Sequence, residues 1–374
     1  MTMFARTDRS VLGRWWWTVD RWTLAAVITL MLSGVVLIMA ASPPVAERIG
    51  ADAFHFVRRH FVFLVPAVGL LLSVSLLSPR GVRRAAVAIF VLSVVMLVVT
   101  PIFGNEIKGA RRWISIGAFS LQASEFVKPA FAVVAAWLFS EAKRTPDFPG
   151  YWVSAFLAVM VAGLLIWQPD FGMTVTVAAI WGGQLFLAGL PLIFVVGLGL
   201  LAVGGVIGAY LMLPHVTERI DGFLNPETAD TFQVDTAIRA FEAGGLFGRG
   251  PGEGVVKSIL PDAHSDFVFA VAGEEFGLFA CLLLLGLFAF IALRGFNRMS
   301  QEKDLFVMLA VAGLLIQFSV QAIINMGVSL HLLPSKGMTL PFISYGGSSL
   351  LSVAICVGFI LALTRRRPES GRAA

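Results

Sequence analysis

The sequence predicts an all-α polytopic membrane protein with about ten transmembrane helices and a large extracytoplasmic loop between the seventh and the eighth. Its composition is 57% hydrophobic and only 14% charged, whereas soluble domains are about a quarter charged. The apolar residues also fall into ten runs, most of them close to the roughly 20 residues that a helix needs to cross a bilayer. Because backbone groups in lipid must be satisfied within their own segment, these runs are predicted to be helices.

The fourth predicted span is short, and only a Gly-Leu-Pro turn separates the sixth from the seventh. The ten spans cover residues 23–41, 61–77, 85–103, 126–140, 151–167, 173–190, 192–213, 266–293, 305–327 and 345–364.

Three regions follow from these spans. Residues 1–22 form a cytoplasmic N-terminal segment, and residues 23–364 form the membrane domain, in which 214–265 is the large outer loop. Residues 365–374 form a cytoplasmic C-terminal tail.

The distribution of Lys and Arg sets the predicted orientation. A cytoplasmic N-terminus places 16 basic residues inside and 12 outside, and cytoplasmic loops normally carry the excess. With ten spans the C-terminus is cytoplasmic as well. Cys281 and Cys356 lie in apolar runs, which indicates neither a disulfide framework nor a metal site. The sequence has no basic run with interleaved aromatic residues, so it does not indicate a nucleic-acid partner.

The basic residues on the outer face include Arg111, Lys128, Lys257 and Lys336. Each can pair with a nearby carboxylate, such as Glu125, or contact lipid headgroups. As a set they indicate an outer site for an anionic group, because arginine forks and lysine point charges suit phosphate.

The stretch "HSDFVFAVAGEEFG", residues 264–277, carries three acids into an apolar run. If the eighth span begins near His264, Asp266 lies in its first turn, where the helix dipole alone favours an acid. Glu274 is then roughly 12 Å deeper, and Glu275 points to nearly the opposite side. A carboxylate in hydrocarbon costs several kcal/mol unless it is paired or faces water. At least one of these glutamates should therefore face a polar cavity or a basic partner.

Three further outer segments are unusual. "GGLFGRGPGEG", 244–254, is either a flexible loop or one whose backbone approaches a ligand. "QPDFG", 168–172, carries Asp170 and is either a tight turn or part of a site. "HLLPSKGMTLPFISYGGSS", 331–349, is too apolar for a solvated loop and too broken for a helix, which favours a re-entrant segment lining a cavity.

The sequence motifs resemble those of the SEDS family of bacterial cell-wall polymerases. The resemblance rests on "KGARRWI", "LQASEFVKP", "QPDFG", "LPDAHSDFVFAVAGEEFG" and "LPSKGMTLPFISYGGSS", which follow the family order from Lys108 to Ser349. The last motif is more similar to the division members than to the elongation members. One departure is "EGVVK", where the family often has a polar, glutamine-containing stretch before the lysine; Lys257 itself is in place.

The resemblance implies a ten-helix fold and polymerisation of lipid II into glycan strands on the outer face of the inner membrane. It also implies a class B penicillin-binding protein as partner, alongside other division proteins at the septum. The family's essential aspartate matches Asp266, and its Ser-Glu-Phe-x-Lys motif places Glu125 and Lys128 in the central cavity.

The implied reaction joins the 4-hydroxyl of an acceptor sugar to the anomeric carbon of a donor whose leaving group is a lipid pyrophosphate. It needs a base, for which Asp266 is the candidate, and cations for the pyrophosphate. The substrate-binding candidates are Arg111, Glu125, Lys128, Asp170, Lys257, His264, Glu274 and Lys336. No cofactor is firmly expected; a divalent cation, Mg²⁺ or Mn²⁺, would be shared with the substrate pyrophosphate, because the sequence offers no dedicated ligand cage.

The main alternative is a flippase for the same lipid, since polar groups inside spans also mark transport pathways. A flippase needs a charged path to the other face, whereas here the acids and motifs gather outside, which favours the enzyme. An elongation-type polymerase and a scaffold that recruits division proteins are the remaining alternatives.

The topology predicts that a cysteine introduced at position 230 is labelled by an impermeant reagent from the outside of the cell. Cysteines introduced near either terminus should be labelled only after the membrane is opened. Labelling of position 230 from the cytoplasmic side alone would contradict both the topology and the outer site.

Overall fold

The computed structural model describes residues 10–107, 110–117, 119–225, 231–334 and 336–366, so position 230 and the tail from 367 lie outside the described residues. Helices dominate the fold. They are α1 (Val11–Thr18), α2 (Arg21–Arg48), α3 (His55–Ser75), α4 (Pro79–Phe103), α5 (Ala123–Arg144), α6 (Gly150–Trp167), α7 (Phe171–Leu187), α8 (Leu192–Met212), α9 (Pro214–Leu224), α10 (Phe232–Gly244), α11 (Val268–Met299), α12 (Leu305–Ser329) and α13 (Gly347–Leu363).

Ten of these helices coincide with the ten predicted spans. Eight are long and apolar enough to cross a membrane, and α7 and α13 are shorter apolar helices of 17 residues each. The fourth span, predicted as 126–140, runs as α5 from Ala123 to Arg144. It is longer because Glu125 and Lys128 pair with each other inside the bundle, so these charges do not end the helix. The prediction of an all-α polytopic membrane protein is confirmed.

The centre of the bundle is α5, which packs against α4, α12 and α13. Its alanines allow close approach of the neighbouring helices, and its Phe131 and Phe139 are fully buried in one cluster with Leu315 of α12 and Phe359 of α13. By contrast, no described side chain of α8 is buried, so this helix lies at the periphery with its apolar surface facing outward.

A small antiparallel sheet adds to the helices. Its strands β1 (Asn105–Ile107), β2 (Ala110–Ile116) and β3 (Phe119–Leu121) lie between α4 and α5 in the order β1-β2-β3. The sequence prediction contained no strands. Strand β2 reads Ala-Arg-Arg-Trp-Ile-Ser-Ile, which has no simple alternation of polar and apolar residues, so its two faces become visible only in the folded strand.

The outer segment 214–265 is folded rather than a flexible loop. It contains α9, α10 and a 3₁₀ turn at Val256–Ser258. The glycine-rich stretch 244–254 does approach a backbone closely, but that backbone belongs to the same chain. A Cβ on Gly244 or Gly248 would overlap the carbonyl oxygens of Gly273 or Glu275, respectively. The sequence analysis interpreted this stretch as either a flexible loop or a loop that approaches a ligand. In the structure it packs against the backbone of α11.

Helix α11 is broken at Gly277, whose φ of 75° lies in the left-handed region. The break leaves backbone N–H and carbonyl groups without the partners that an unbroken helix would provide. Leu278 N–H instead donates to the Gly245 carbonyl at 2.9 Å, and Arg249 N–H donates to the Glu274 carbonyl at 2.9 Å. The glycine-rich stretch thus provides hydrogen-bond partners for the backbone groups at the break, which must be satisfied by protein within a membrane. The predicted span 266–293 corresponds to this helix, and the break at Gly277 was not predicted.

Both glutamates before the break are buried and partnered. The Glu274 carboxylate accepts the backbone N–H groups of Val255, Val256 and Lys257 at 2.6, 2.6 and 2.7 Å. The Lys257 ammonium forms an ion pair with Glu275 and donates to the Ala40 carbonyl of α2 at 2.9 Å. The acids that the sequence placed in a span therefore hold the outer segment onto α11.

The two ends of the described chain meet at one end of the bundle. Trp15 of α1 donates to the Ser75 hydroxyl at 2.9 Å, and Arg366 N–H donates to the Thr18 carbonyl at 3.1 Å. An even number of spans places both ends of the chain on the same side of the membrane, as this packing requires. That this end is cytoplasmic, with the region boundaries at 22 and 364, stays a prediction.

The break at Gly277 gives a test of this packing. Gly277→Ala should lower the thermal unfolding temperature strongly, because its Cβ would overlap Gly248 and its φ is unfavourable for alanine. The matched control is Gly286→Ala in the same helix, where a Cβ meets nothing within 4 Å. Gly286→Ala should leave the unfolding temperature unchanged or slightly raised. Equal effects of the two substitutions would contradict the account of the break.

Candidate active site

Three outer segments of the chain meet at one place. Residues 261–267 form a turn before α11, residues 336–345 form a re-entrant segment before α13, and residues 168–170 form the turn between α6 and α7. Tyr345 N–H donates to the His264 carbonyl at 2.9 Å, which joins the first two. Lys336 donates to the Asp170 carboxylate at 2.6 Å, which joins the second and third. The re-entrant segment predicted from the sequence is the common partner.

Asp266 lies at the centre of this meeting point and is partly exposed. It precedes the helix: α11 begins at Val268 with Phe267 as its N-cap, so the predicted placement of Asp266 in the first turn is wrong. The reason is a turn in which Asp266 N–H and Phe267 N–H both donate to the Asp262 carbonyl. The Asp266 carboxylate lies against the re-entrant segment, since a Cβ on Gly337 would be 2.8 Å from its Oδ2.

Asp170 and Lys336 form a buried ion pair beside this aspartate. The N–O distance is 2.6 Å, and the Asp170 side chain is 3% exposed. Burial by itself raises the pKa of Asp170, but the charges of Lys336 and Arg112 outweigh it, so this pKa lies below its usual value. Burial likewise lowers the pKa of Lys336, against the opposing effect of Asp170. Asp170 is thus a site residue as well as the N-cap of α7, where it accepts the Met173 N–H.

Arg112, which the sequence analysis did not select, is the arginine of β2 that reaches this cluster, whereas the role of Arg111 in substrate binding stays a prediction. Arg112 donates to the Gln168 carbonyl at 3.0 Å and to the Pro169 carbonyl, next to Asp170. Arg111 points to the other face of the strand, where it is half exposed and lies 3.5 Å from Glu106. Neighbouring residues of a strand face opposite sides, so the choice between them depended on a strand that the sequence analysis did not recognise.

Arg219 of α9 is a second cation that the sequence analysis missed. It is partly buried, and the charges of Asp170 and Asp266 both act on its pKa, which burial lowers. Phe223, one turn later on the same helix, stacks edge-on against His331 at the start of the last outer loop. These contacts place α9 over the site. The arginine's spacing from Val216 and Phe223 on one helical face was the available signal.

Glu125 and Lys128 form a second buried ion pair deeper in the bundle. Their N–O distance is 2.9 Å, and the Lys128 side chain is fully buried. Lys128 also donates to Gln321 of α12 at 3.2 Å, and Gln321 donates to the Thr339 carbonyl at 3.1 Å. The predicted contact of Lys128 with a solvent-side phosphate is not available in this conformation, because its ammonium is enclosed. The pair instead supports the re-entrant segment from below.

Lys257 and Glu274 are also enclosed by protein. Lys257 forms an ion pair with Glu275 and donates a hydrogen bond to the Ala40 carbonyl. The Glu274 carboxylate accepts hydrogen bonds from the three backbone N–H groups. Pairing with a neighbouring carboxylate, one of the interpretations given for the outer cations, describes Lys257 in this structure. Its role as a pyrophosphate ligand stays a prediction. Glu274 likewise faces the folded outer segment and not a substrate cavity.

His264 is a buried spacer between aromatic rings. Its imidazole lies 4.1 Å from the Phe56 ring and 5.3 Å from the Tyr345 ring, measured between centroids. Burial lowers the pKa of His264 to about 4, so the ring is neutral near pH 7. The side chain fixes the turn before Asp266 against α3 and the re-entrant segment. Its predicted contact with substrate stays a prediction.

Within the described residues no group of three or more His, Cys, Asp or Glu side chains gathers to hold a metal ion. The two acids nearest the site, Asp170 and Asp266, are accompanied by cations. A divalent ion here would need substrate oxygens among its ligands.

The buried pair Asp170–Lys336 gives a second test. Lys336→Met leaves a buried carboxylate without its cation, which typically costs about 3–5 kcal/mol. The matched control is Arg144→Gln, which removes a half-exposed cation 3.4 Å from Asp304 and should cost about 0–1 kcal/mol. Chemical denaturation of the solubilised protein measures both. A Lys336→Met variant as stable as the control would contradict the burial of this pair.

Known proteins resemble this chain in sequence. The family of cell cycle proteins named for FtsW, RodA and SpoVE matches residues 21–369. A probable peptidoglycan glycosyltransferase FtsW from Caulobacter vibrioides is 45% identical over 98% of this chain and 94% of its own length. Another from Trichlorobacter lovleyi is 36% identical over 91% of this chain and 92% of its own length.

Solved structures show the same fold. A chain from a peptidoglycan synthase complex, studied for the coordination of polymerization and crosslinking, matches with a TM-score of 0.75 at 26% identity. The match covers 92% of this chain and 97% of that one. The rod shape determining protein RodA of Thermus thermophilus matches with a TM-score of 0.67 at 27% identity, covering 93% and 97%. The resemblance carried by the motifs is confirmed: this chain belongs to the FtsW, RodA and SpoVE family of cell cycle proteins and is a multi-pass protein of the inner membrane.

Proposed function

We propose that this chain is a peptidoglycan glycosyltransferase that polymerises lipid II into glycan strands on the outer face of the inner membrane. The names of its relatives support the activity. The observation that carries it is the position of Asp266: a partly exposed carboxylate at the mouth of the bundle, beside the Asp170–Lys336 pair and the two arginines. That arrangement supplies a proton acceptor and an anion-binding surface side by side.

Asp266 acts as the general base in this proposal. It removes the proton from the 4-hydroxyl of the acceptor sugar as that oxygen bonds to the anomeric carbon of the donor. The bond from the anomeric carbon to the pyrophosphate oxygen breaks, and the lipid pyrophosphate leaves with the electron pair. Asp266 stands in the turn that leads into α11, where its partly exposed carboxylate can reach a bound acceptor sugar.

The cations near Asp266 stabilise the leaving group. Lys336, Arg112 and Arg219 lie together beside Asp170 and Asp266, so an anion bound here meets three cations; Glu218, a third carboxylate that acts on Arg219, is exposed. Negative charge that grows on the pyrophosphate in the transition state is stabilised by cations already in place. A pyrophosphate approaching Lys336 competes with Asp170 for its ammonium. A divalent cation, Mg²⁺ or Mn²⁺, would be shared between these acids and the pyrophosphate oxygens.

The cellular setting is part of the proposal. A class B penicillin-binding protein is the expected partner, which agrees with the synthase complex that contains the structural neighbour. The division proteins among the relatives favour synthesis at the septum over elongation. Glycosyltransferase relatives also favour polymerisation over the flippase alternative.

Replacement of Asp266 by Asn tests the mechanism. Asp266→Asn keeps the shape of the side chain and removes the proton acceptor, so polymerisation of lipid II should fall by at least about 10²-fold. The assay uses purified protein with and without its penicillin-binding partner, scored for glycan polymer on gels.

The matched control is Asp262→Asn in the same turn. Asp262 has a φ of 51°, a conformation that asparagine also adopts readily, so this variant should fold and retain activity. Near-normal polymerisation by Asp266→Asn, in a preparation free of other glycosyltransferases, would remove Asp266 from the mechanism.

A further inference from the structure

One buried amide links the two segments that carry the reactive groups. Asn325 of α12 is 1% exposed. Its Nδ2 donates to the Asp266 carbonyl at 2.8 Å and to the Met338 carbonyl at 2.6 Å. A single side-chain nitrogen therefore bonds the main chain of the base itself and the main chain two residues beyond Lys336.

The two bonds fix how far the base lies from the cation. Lys336, Gly337 and Met338 are consecutive, and Gly337 lies directly against the Asp266 carboxylate, where a Cβ would be 2.8 Å from Oδ2. Both segments lie outside the regular helices, as turns and irregular backbone. Because α12 is a continuous helix in the core, it provides a rigid reference for two segments that could otherwise shift independently.

The amide is chemically suited to this task. A primary amide nitrogen carries two N–H donors, and here each meets one buried carbonyl. The orientation of the amide follows from these partners, since an oxygen in that position would face two acceptors. The Asn325 Oδ1 has no partner within the described part of the chain, so the nitrogen alone makes the connection.

We propose that Asn325 is a positioning residue that sets the distance between the base Asp266 and the anion-binding segment at Lys336. The role of this distance in catalysis rests on the proposed function, whereas the distance itself can be tested without measuring activity. Asn325 does not touch substrate. It acts by holding the Asp266 carbonyl and the Met338 carbonyl in one fixed relation.

The kinetic test uses Asn325→Leu, which keeps the branched shape and the number of side-chain heavy atoms and removes both donors. The kcat for lipid II polymerisation should fall by about 10²-fold, as expected when reacting groups are misplaced by about 1 Å, with KM much less affected. The matched control is Gln317→Leu, two turns deeper in α12, whose buried Oε1 has no partner within the described residues. This variant should keep its kcat. Asn325→Ser retains one donor and should give an intermediate kcat if the leucine variant does not fold.

The geometric test does not require activity. Asp266→Cys with Gly337→Cys, in a chain whose Cys281 and Cys356 are replaced by alanine, should form a disulfide in the membrane under mild oxidation. Adding Asn325→Leu should reduce the yield several-fold, whereas adding Gln317→Leu should not.

Each outcome decides the proposal. Loss of both cross-linking and kcat in the Asn325 variants supports it. Undiminished cross-linking, or reduced cross-linking with normal kcat, overturns it. If the unaltered chain makes no polymer from lipid II, the proposed function fails, and the cross-linking result still shows whether Asn325 sets the spacing.

Discussion

The fold of the outer half depends on how two carboxylates are kept inside it. A buried carboxylate costs several kcal/mol unless it is fully partnered. Glu274 accepts three successive backbone N–H groups, and Glu275 pairs through one carboxylate oxygen with the Lys257 ammonium, all from one short stretch of the outer segment. Since Lys257 also bonds α2 through the Ala40 carbonyl, the same stretch joins two helices that are distant in sequence.

The broken helix follows from that arrangement. For the 3₁₀ turn to reach the glutamates, the glycine-rich stretch must cross α11, and a continuous helix would leave it no room there. The left-handed Gly277 opens the crossing, and Gly245 and Arg249 then take up the freed backbone groups. The turn that bears Asp266 leads directly into the first part of α11. The two glutamates therefore help to fix the position of Asp266, the proposed base.

Sequence analysis recovered the helical architecture because apolar runs of bilayer length have few other structural solutions. It also placed Asp170, Asp266 and Lys336 in the candidate site, since turn residues and charges at the mouths of spans are visible in the sequence. The pairing of outer cations was not visible. Lys128 and Lys257 satisfy glutamates within the protein, and Arg112, not Arg111, faces the site. These distinctions depend on which side chains meet across long sequence distances, and on a strand that was not recognised.

The two kinds of ion pair differ in what they allow. Glu275–Lys257 and Glu125–Lys128 are enclosed on every side, so separating either would leave an uncompensated charge in the interior. Asp170–Lys336 lies at the edge of the site, and its lysine is 12% exposed. In the proposed reaction a pyrophosphate would approach the exposed side of this lysine and share its ammonium with Asp170, because Asp170 is buried and needs a cation beside it. The enclosed pairs thus keep the scaffold fixed, while the lysine of the pair at the edge keeps one side open to an anion.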